Sequence, residues 1–359
     1  MFKESYQVIG VMSGTSLDGI DLAHVHFTVK NNHWNYKITE TKTIPYTQEW
    51  LNKLKNAVNF SENELISLNE EYTDYLGNSI KEFIDKHKLH SIDAVCSHGH
   101  TILHQPQIGL TLQIGNLPKI AEIVEKKVVC DFRVQDVELG GQGAPLVPIG
   151  DRLLFSEYDF CLNLGGFSNV SFEENGNRIA FDISPVNTVL NYYANQLGLE
   201  YDDKGKIART GKLNQELLNE LNSLDYYRKS YPKSLGFEFV KEIVLPLLEK
   251  YSISVEDKMH TFVEHIAIQT DFSLPKKEGK LLITGGGAYN DFIIEKMNKY
   301  LPKMQLIIPD YKTLEYKEAL IFGLLGVLKL RNEINVLCSV TGAKKNHTSG
   351  LIYVPAECK

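Results

Sequence analysis

The sequence predicts an α/β fold of two domains, because strand-like and helical segments alternate along it and one strand–turn–strand pattern occurs twice. The first copy of this pattern carries the glycine-rich turn GVMSGTSLDGID at residues 10–21, and the second is FCLNLGGFSNVSF at residues 160–172. Two copies about 150 residues apart suggest a duplicated architecture. A chain of 359 residues exceeds what one hydrophobic core usually supports, so we expect two domains around a cleft.

The composition indicates a globular protein that acts on small molecules. Apolar residues make up 43% and charged residues 23% of the chain, and the net charge is -7. This charge, without any Lys/Arg-rich block, disfavours binding to nucleic acid or to an anionic membrane. The five cysteines contain no CxxC pair, which is typical of reduced thiols in the cytosol. The apolar window 319–330 is too short to span a bilayer, so we expect a cytoplasmic protein.

The remaining elements follow from periodicity and from helix-end signals. In the first half, after the first hairpin, we predict a helix over 62–87, a strand over 93–97, a helix over 117–125 and a strand over 127–130. After the second hairpin, we predict a strand over 178–183 and a helix with Ser184 as its N-cap, Pro185 in its first turn and Gly198 past its end. The later predictions are helices over 214–224 and 236–251, a strand over 280–284, a helix from Asn290, and a last helix over 314–331.

The turn of the first hairpin has the composition of a phosphate cradle. Gly14 and Gly19 allow positive φ angles and a close approach of the backbone to a ligand. Thr15 and Ser16 add hydroxyl donors to a row of peptide N–H groups. The alternative is an ordinary polar hairpin turn, in which these residues only satisfy turn geometry.

Three aspartates stand at positions where they could take part in chemistry. Asp18 and Asp21 lie in the first turn and would repel bare phosphates, so they indicate Mg²⁺ between them and a nucleotide, or one of them as a base. Asp182 lies near the C-terminal end of a predicted strand, where ligands meet open α/β sheets, and is our candidate general base. The alternative for Asp182 is a capping role at the next helix.

Histidines and glycines mark two further candidate regions. His98 and His100, with His104 nearby, could hydrogen bond to a polyol or acyl substrate, hold zinc, or serve the structure alone. The glycines 285–287 follow a buried-looking strand, so a flat ligand such as adenosine could lie against their bare backbone. A tight strand-to-helix turn is the alternative for these glycines.

Arg133 lies in a charged cluster that a stable core does not require. It could pair with Asp131 or Asp136, or it could hold an anionic substrate by a forked contact. The glycine-rich loop 140–148 (GGQGAPLVP) follows this cluster, and we expect it to shape the floor of the cleft.

Taken in order, these motifs resemble the 1,6-anhydro-N-acetylmuramic acid kinase family, a branch of the sugar kinase, heat-shock ATPase and actin fold. The resemblance covers nearly the whole chain and is most specific at the first turn and at the loop 140–148. The matching segments are 11–21, HGHT at 98–101, TLQIG at 111–115, DFR at 131–133, 140–148, NLGG at 163–166, PKS at 232–234, GGG at 285–287, EA at 318–319 and SVTGA at 339–343.

The resemblance implies a two-domain, actin-like ATPase fold with a central cleft, and ATP with Mg²⁺ as cofactors. The implied reaction opens the 1,6-anhydro bond of the sugar with water and phosphorylates O6, giving N-acetylmuramic acid 6-phosphate. The expected domains are 1–155, with the first phosphate loop, and 156–334, with the second loop and the adenosine side. Residues 335–359 are expected to pack back on the first domain.

The resemblance also assigns roles to residues of this chain. Asp182 becomes the base that activates water, and Asp18 the residue that holds Mg²⁺ through a water molecule. The nucleotide is assigned to Gly14, Thr15, Ser16, Leu17, Asp18, Gly19, Ile20, Asp21, Gly165, Gly166, Gly285, Gly286 and Gly287. The sugar is assigned to His98, His100, Thr101, Asp131, Arg133, Gln142, Asn187 and Glu318.

Three departures from the family pattern fall on the sugar side. The family's Asp-Thr-Gly-Pro-Gly-Asn is DISPVN at residues 182–187, so that Val186 stands where a glycine is usual. His100 replaces a Gln, and Asn116 replaces an Asp. A kinase of the same fold for a related anhydro or amino sugar is therefore the alternative function, and a non-catalytic nucleotide-binding paralogue is a second one. We expect a sugar and ATP as partners, and the sequence leaves open whether the chain forms a homodimer.

Overall fold

Two β-sheets organise the chain in the computed structural model, which describes residues 2–14 and 17–356. The first sheet has seven strands: β1 Ser5–Ser13, β2 Ile20–Lys30, β3 His33–Ile44, β4 Ala94–Gln105, β5 Leu110–Ile114, β6 Val128–Cys130 and β12 Leu351–Tyr353. The second sheet has five: β7 Phe160–Leu164, β8 Phe167–Glu174, β9 Asn177–Pro185, β10 Glu278–Thr284 and β11 Lys303–Ile307.

Both sheets repeat one strand order. In the first, β1, β2 and β3 form an antiparallel meander, and β4 and β6 continue in parallel on the other side of β1. In the second, β7, β8 and β9 form the meander, and β10 and β11 continue in parallel beside β7. The duplicated architecture and the α/β class predicted from the sequence are confirmed, and the repeated order agrees with the actin-like fold that the resemblance implies.

Fifteen α-helices accompany the strands in the part of the chain that the structure describes. They are α1 Gln48–Asn56, α2 Glu62–Lys86, α3 Lys119–Val124, α4 Val134–Glu138, α5 Pro148–Leu154, α6 Asn187–Gln196, α7 Lys206–Thr210, α8 Gln215–Ser223, α9 Asp225–Arg228, α10 Phe237–Phe239, α11 Leu245–Glu249, α12 Val255–Ser273, α13 Asp291–Tyr300, α14 Tyr311–Leu330 and α15 Cys338–Thr341. A π-helical turn, Val240–Val244, joins α10 to α11. Among the described residues, no helix combines the length and the apolar character needed to cross a membrane.

The chain forms two compact units, each with its own hydrophobic core. Unit 1 comprises Met1–Leu154 and Tyr316–Lys359, and unit 2 comprises Phe155–Glu315. Within unit 1, β12 pairs with β6, so the end of the described chain joins the first sheet. The functional domain limits predicted from the sequence, 1–155 and 156–334, stay a prediction.

Local signals explain the longest helix, α2. At the start of α2, the Ser61 backbone N–H donates to Glu64 Oε2 at 2.7 Å, in a capping box. Farther along this helix, Leu76 and Phe83 are fully buried against the first sheet. Such a buried apolar stripe stabilises the helix more than its intrinsic propensity does.

The predicted start of helix α6 is wrong. Ser184 is not its N-cap, because β9 continues to Pro185 and the helix begins at Asn187, with Val186 as the N-cap residue. The Ser184 N–H donates to Ser168 Oγ at 3.1 Å across the sheet, which keeps this segment in the strand. The end of the helix is as predicted, since Gly198 takes a φ of 76° just after it.

Candidate active site

The first hairpin forms as predicted, and residues 14–19 connect its strands. β1 and β2 pair as far as Ser13 and Ile20. The Leu17 N–H donates to Gly14 O at 3.2 Å, and Leu17 takes a left-handed φ of 63°. Gly19 has a φ of 150°, and a Cβ there would lie 2.4 Å from the backbone oxygen of Ile44. The connection therefore needs a glycine at position 19 for both conformation and space.

The polar side chains of this connection differ in their surroundings. Asp18 is exposed. Asp21 is half-buried, and its Oδ1 accepts a 2.6 Å hydrogen bond from the Thr43 hydroxyl. Thr15 and Ser16, the predicted hydroxyl donors, lie outside the described residues. The contribution of this loop to phosphate binding remains a prediction.

A buried polar network holds the last residue of β1, directly before the connection. The Ser13 hydroxyl lies 2.5 Å from the Tyr46 hydroxyl, 2.8 Å from the Tyr72 hydroxyl and 2.8 Å from His100 Nδ1. The Tyr46 and Tyr72 hydroxyls are themselves 2.6 Å apart. Burial lowers the pKa of His100 to about 4, so its ring is neutral at physiological pH. His100 is thus tied to the start of the candidate phosphate loop.

His98 and Arg133 form a second buried pair. Arg133 Nε donates to His98 Nε2 at 2.8 Å, and His98 Nδ1 lies 2.9 Å from the backbone oxygen of Gly99. Because Nε2 accepts, Nδ1 carries the proton and donates to the carbonyl. Burial and the Arg133 charge hold the pKa of His98 well below its usual value. Both ring nitrogens of His98 are therefore engaged, which argues against the zinc alternative for this histidine.

Arg133 does not pair with either of the two carboxylates that the sequence suggested as its partners. Its NH1 donates to the backbone oxygen of Gly143 at 2.5 Å, and in the described part of the chain neither Asp131 nor Asp136 forms an ion pair with it. Burial lowers the pKa of Arg133 to about 10, which Glu318 and Asp136 oppose. The guanidinium stays charged at neutral pH, and its remaining donors suit an anionic group.

Glu318 lies near this guanidinium. Its side chain is exposed, yet the protein atoms around it raise the pKa of its carboxyl through desolvation. The Arg133 charge opposes this rise, and the Asp21 charge adds to it. The charges of Arg133 and Asp21 both act on Glu318, so unit 1 brings these three groups close enough to interact.

The glycine-rich loop is fixed by a buried aspartate that the sequence did not single out for this role. Asp136 Oδ2 accepts from the Gly143 N–H at 2.7 Å, and its Oδ1 accepts from the Thr341 hydroxyl at 2.8 Å. The Gln142 N–H donates to Thr341 O at 2.8 Å, while its side chain is exposed. Hydrogen bonds to Asp136 and to Thr341 of the SVTGA segment thus hold the loop, and the Gln142 side chain remains exposed.

Two other sugar-side residues of unit 1 have polar surroundings. Asp131 has a left-handed φ of 59° and follows β6 directly; burial raises the pKa of its carboxyl. Thr101 lies on β4, where its hydroxyl is 3.4 Å from Gln113 Nε2.

In unit 2, the two glycine turns meet at the end of β7. The Asn187 N–H donates to Gly165 O at 3.3 Å, and the Val186 N–H donates to Gly166 O at 2.8 Å. A Cβ at Gly285 would lie 2.5 Å from Asn163 Oδ1, next to the turn at Gly165 and Gly166. Bare backbone is thus required where the two turns approach each other.

Asp182 lies within β9, three residues before its end, because the strand continues to Pro185 and does not end at the predicted residue 183. Its Oδ2 accepts from the Leu235 N–H at 2.8 Å, and its backbone oxygen accepts from the Tyr226 hydroxyl at 2.6 Å. The Asp182 N–H donates to Lys233 O at 3.2 Å. Burial raises the pKa of the carboxyl, against the effect of the Leu235 N–H. A carboxylate with a raised pKa is suited to a general base.

Sequence reasoning did not assign a role to the segment 226–235 that holds Asp182. The signal that could have found it is the PKS motif at 232–234, which belongs to the matching pattern but had no function attached. In the described residues, no group of three His, Cys, Asp or Glu is arranged to hold a metal ion by protein ligands alone.

Comparisons with known proteins identify the family that the sequence motifs resemble. The profile of the family described as anhydro-N-acetylmuramic acid kinase matches residues 6–355. An anhydro-N-acetylmuramic acid kinase of Mannheimia succiniciproducens is 35% identical, covering 98% of this chain and 100% of that protein. One of Hydrogenovibrio crunogenus is 32% identical, covering 97% of this chain and 98% of that protein. Among solved structures, component A of the (R)-2-hydroxyglutaryl-CoA dehydratase of Acidaminococcus fermentans aligns with a TM-score of 0.46 at 13% identity, over 91% of this chain and 99% of that one.

Proposed function

Since this chain belongs to the anhydro-N-acetylmuramic acid kinase family, we propose that Asp182 is the base with which it opens the anhydro ring of its substrate. The protein is an ATP-dependent sugar kinase, with a sugar and ATP as its substrates. The surroundings of the Asp182 carboxyl carry the proposal for its role: it is half-buried, has a raised pKa and accepts one backbone N–H bond.

The reaction needs one base and one phosphoryl acceptor. Asp182 takes a proton from water as the water oxygen bonds to the anomeric carbon, and the bond from that carbon to O6 breaks. The freed O6 bonds to the γ-phosphorus of ATP, and ADP leaves. The products are N-acetylmuramic acid 6-phosphate and ADP, and the proton on Asp182 passes to solvent. Phosphoryl transfer itself requires positioning and charge neutralisation more than covalent help.

Backbone turns support the placement of the nucleotide. We assign the phosphates to the connection 14–21 and to the turn at Gly165 and Gly166, and the adenosine to Gly285–Gly287. A Cβ at Gly285 or Gly287 would lie only 2.5 Å from Asn163 Oδ1 or 2.7 Å from Leu164 Cβ, so this backbone stays bare. Peptide N–H groups and bare backbone suit phosphate oxygens and a flat base.

The acidic residues of unit 1 fit Mg²⁺. Asp18 is exposed, and the charge of Asp21 raises the pKa of Glu318, against the effect of the Arg133 and Lys317 charges. Carboxylate oxygens with water are the ligands that Mg²⁺ prefers. We assign Asp18 to the ion through water, and Asp21 as a second candidate. When bound, Mg²⁺ would neutralise charge on the transferred phosphate.

The sugar contacts form the remaining part of the proposal. Arg133 and Glu318 supply a charged donor and an acceptor, and His98 and His100 supply neutral rings held by their partners. We assign the sugar to these residues and to Thr101, Asp131, Gln142 and Asn187, as the resemblance implies. The homodimer remains an open prediction.

The direct test uses the purified protein with Mg-ATP and 1,6-anhydro-N-acetylmuramic acid. We expect ADP release and a product heavier than the sugar by one phosphate and one water, measured by mass spectrometry against an ATP-only control. In ¹⁸O-labelled water, the label should appear on the anomeric oxygen. A product heavier by phosphate alone would contradict a role for a water-activating base.

A further inference from the structure

Lys233 is a half-buried cation for which the described residues supply no counter-charge. Its Nζ lies 4.8 Å from the ring centre of Tyr226 and 5.6 Å from that of Phe181. Within the described residues, its ammonium group has neither a hydrogen-bond acceptor nor an acidic partner, and burial lowers its pKa. The two rings attract the cation, but they offer it no anionic oxygen.

Other shielded lysines of this protein do have oxygen partners. Lys258 and Lys317 pair with carboxylates at 2.8 Å each. Lys329, whose pKa is also lowered by burial, lies 3.3 Å from the Thr348 carbonyl oxygen, to which it donates. Partial removal of an ammonium group from water costs free energy unless an oxygen atom compensates. Lys233 therefore differs from these lysines in lacking an oxygen partner among the described residues.

The position of Lys233 connects it to the proposed base. Its backbone oxygen accepts from the Asp182 N–H at 3.2 Å, and Tyr226, whose ring lies under the ammonium group, donates to the Asp182 backbone oxygen at 2.6 Å. Phe181 directly precedes Asp182. The cation is therefore fixed on the same short piece of structure as the base, without forming an ion pair with it.

We propose that Lys233 binds an anionic oxygen group of the ligand that reacts at Asp182. This rests on the proposed function for the place of the reaction. Two sources share this chemistry: the carboxylate on the ether side chain of the muramic acid, which we favour, and the phosphate of ATP. A carboxylate there would complete the pair and would distinguish an acidic anhydro sugar from a neutral one.

The test measures dissociation constants by calorimetry, which does not depend on turnover. The ligands are 1,6-anhydro-N-acetylmuramic acid, its neutral analogue 1,6-anhydro-N-acetylglucosamine, and a non-hydrolysable ATP analogue with Mg²⁺. The variant Lys233→Met removes the charge and keeps an apolar stem against the two rings. Lys233→Arg restores a cation, and Lys229→Met is the matched control at an exposed lysine.

We expect Lys233→Met to weaken binding of the acidic sugar about tenfold or more, to leave the neutral analogue within about twofold, and to be largely rescued in Lys233→Arg. Weaker binding of the ATP analogue alone would support the anion site and identify phosphate as its source. Unchanged binding of all three ligands, or an equal loss for the acidic and neutral sugars, would overturn the proposal. If the wild-type protein binds the acidic sugar through Lys233 but does not turn it over, the proposed function fails while this inference stands.

Discussion

At the scale of single residues, Asp182 meets two opposing requirements. A base must be ionised to accept a proton, but burial of this carboxyl disfavours its charged form and raises its pKa. The Leu235 N–H partly compensates for that burial. We predict that Asp182→Asn lowers kcat by about 10² to 10⁴, the usual range for a lost general base, and leaves nucleotide binding intact. Steady-state kinetics and ATP binding check this, and a variant with unchanged kcat would exclude the role.

The same carboxyl should determine the acid side of the pH–rate profile. Because its pKa is raised from 3.8, we expect kcat/KM of the wild-type enzyme to fall, as pH decreases, at a midpoint above 3.8. Measurement of kcat/KM from pH 4 to pH 8 checks this, and the residual activity of Asp182→Asn should lack that limb. An acid limb kept in the variant would assign it to another group.

Asp182 should also reduce stability at neutral pH. Its pKa is raised in the folded state, so folding favours the protonated form; above that pKa the folded protein bears the cost of the buried charge. We predict that Asp182→Asn raises Tm at pH 7, since the amide oxygen can still accept from Leu235. The difference should vanish below the unfolded-state pKa, where both side chains are neutral. Thermal unfolding at both pH values tests this, and a lower Tm at pH 7 would contradict it.

At the scale of elements, β1 contacts helix α14 through backbone alone at Gly10. A Cβ at this position would lie 1.8 Å from the Ala319 carbonyl oxygen, which belongs to the helix and cannot move away as a side chain can. We predict that Gly10→Ala destabilises the protein by about 3 kcal/mol or more, at the upper end for overpacked cores. Denaturant unfolding measures this change.

Gly323 on α14 is the matched control for that prediction. A Cβ there would meet Phe27 and Val8 at 3.4 Å, an ordinary contact, and alanine favours the helix by up to about 1 kcal/mol over glycine. We expect Gly323→Ala to leave the free energy of unfolding unchanged or to raise it. Equal losses in the two variants would show that the interface tolerates no added methyl group, rather than that Gly10 is specially crowded.

Periodicity in the sequence predicted most elements and missed several, of which β3 and α12 are the longest. Strand β3 was not predicted, because its side chains are partly exposed on both faces and no alternation results. Helix α12 was missed for the opposite reason: residues 261–267 are all buried, so no amphipathic stripe appears. Two of these, Glu264 and His265, are polar and depend on partners far along the chain, such as Lys299 and Tyr227. Such partners leave no local pattern.

The candidate site was predictable where local turn chemistry or a motif marks it. The glycines at 19 and 285 are required by φ angles of 150° and 82°, which a sequence can indicate. Other parts of the site arise from contacts between segments that are distant in the sequence. These are the hydrogen bonds of Leu235 and Tyr226 to Asp182, and the network around Ser13. Irregular segments carry no period, so these contacts could not be read in advance.

At the scale of the whole molecule, nucleotide binding should raise stability. A ligand at 100 times its dissociation constant adds about 2.7 kcal/mol to the free energy of unfolding. We predict that Mg-ATP raises Tm by several degrees, that EDTA removes most of the rise, and that Gly14→Val abolishes it by crowding the phosphate loop. Differential scanning fluorimetry checks this. A Gly14→Val protein that shifts as the wild type does would exclude the loop from the nucleotide site.

The interruption of unit 1 by the whole of unit 2 sets the order in which a ribosome can supply the two units. Unit 2 is one continuous stretch, Phe155–Glu315, and can fold once it has emerged. Unit 1 must wait, because helix α14 fills the gap left at Gly10 and strand β12 completes the edge beside β6. During synthesis, then, unit 2 should already be folded while the first sheet still lacks its last strand and is exposed. This incomplete sheet is where a chaperone would be needed.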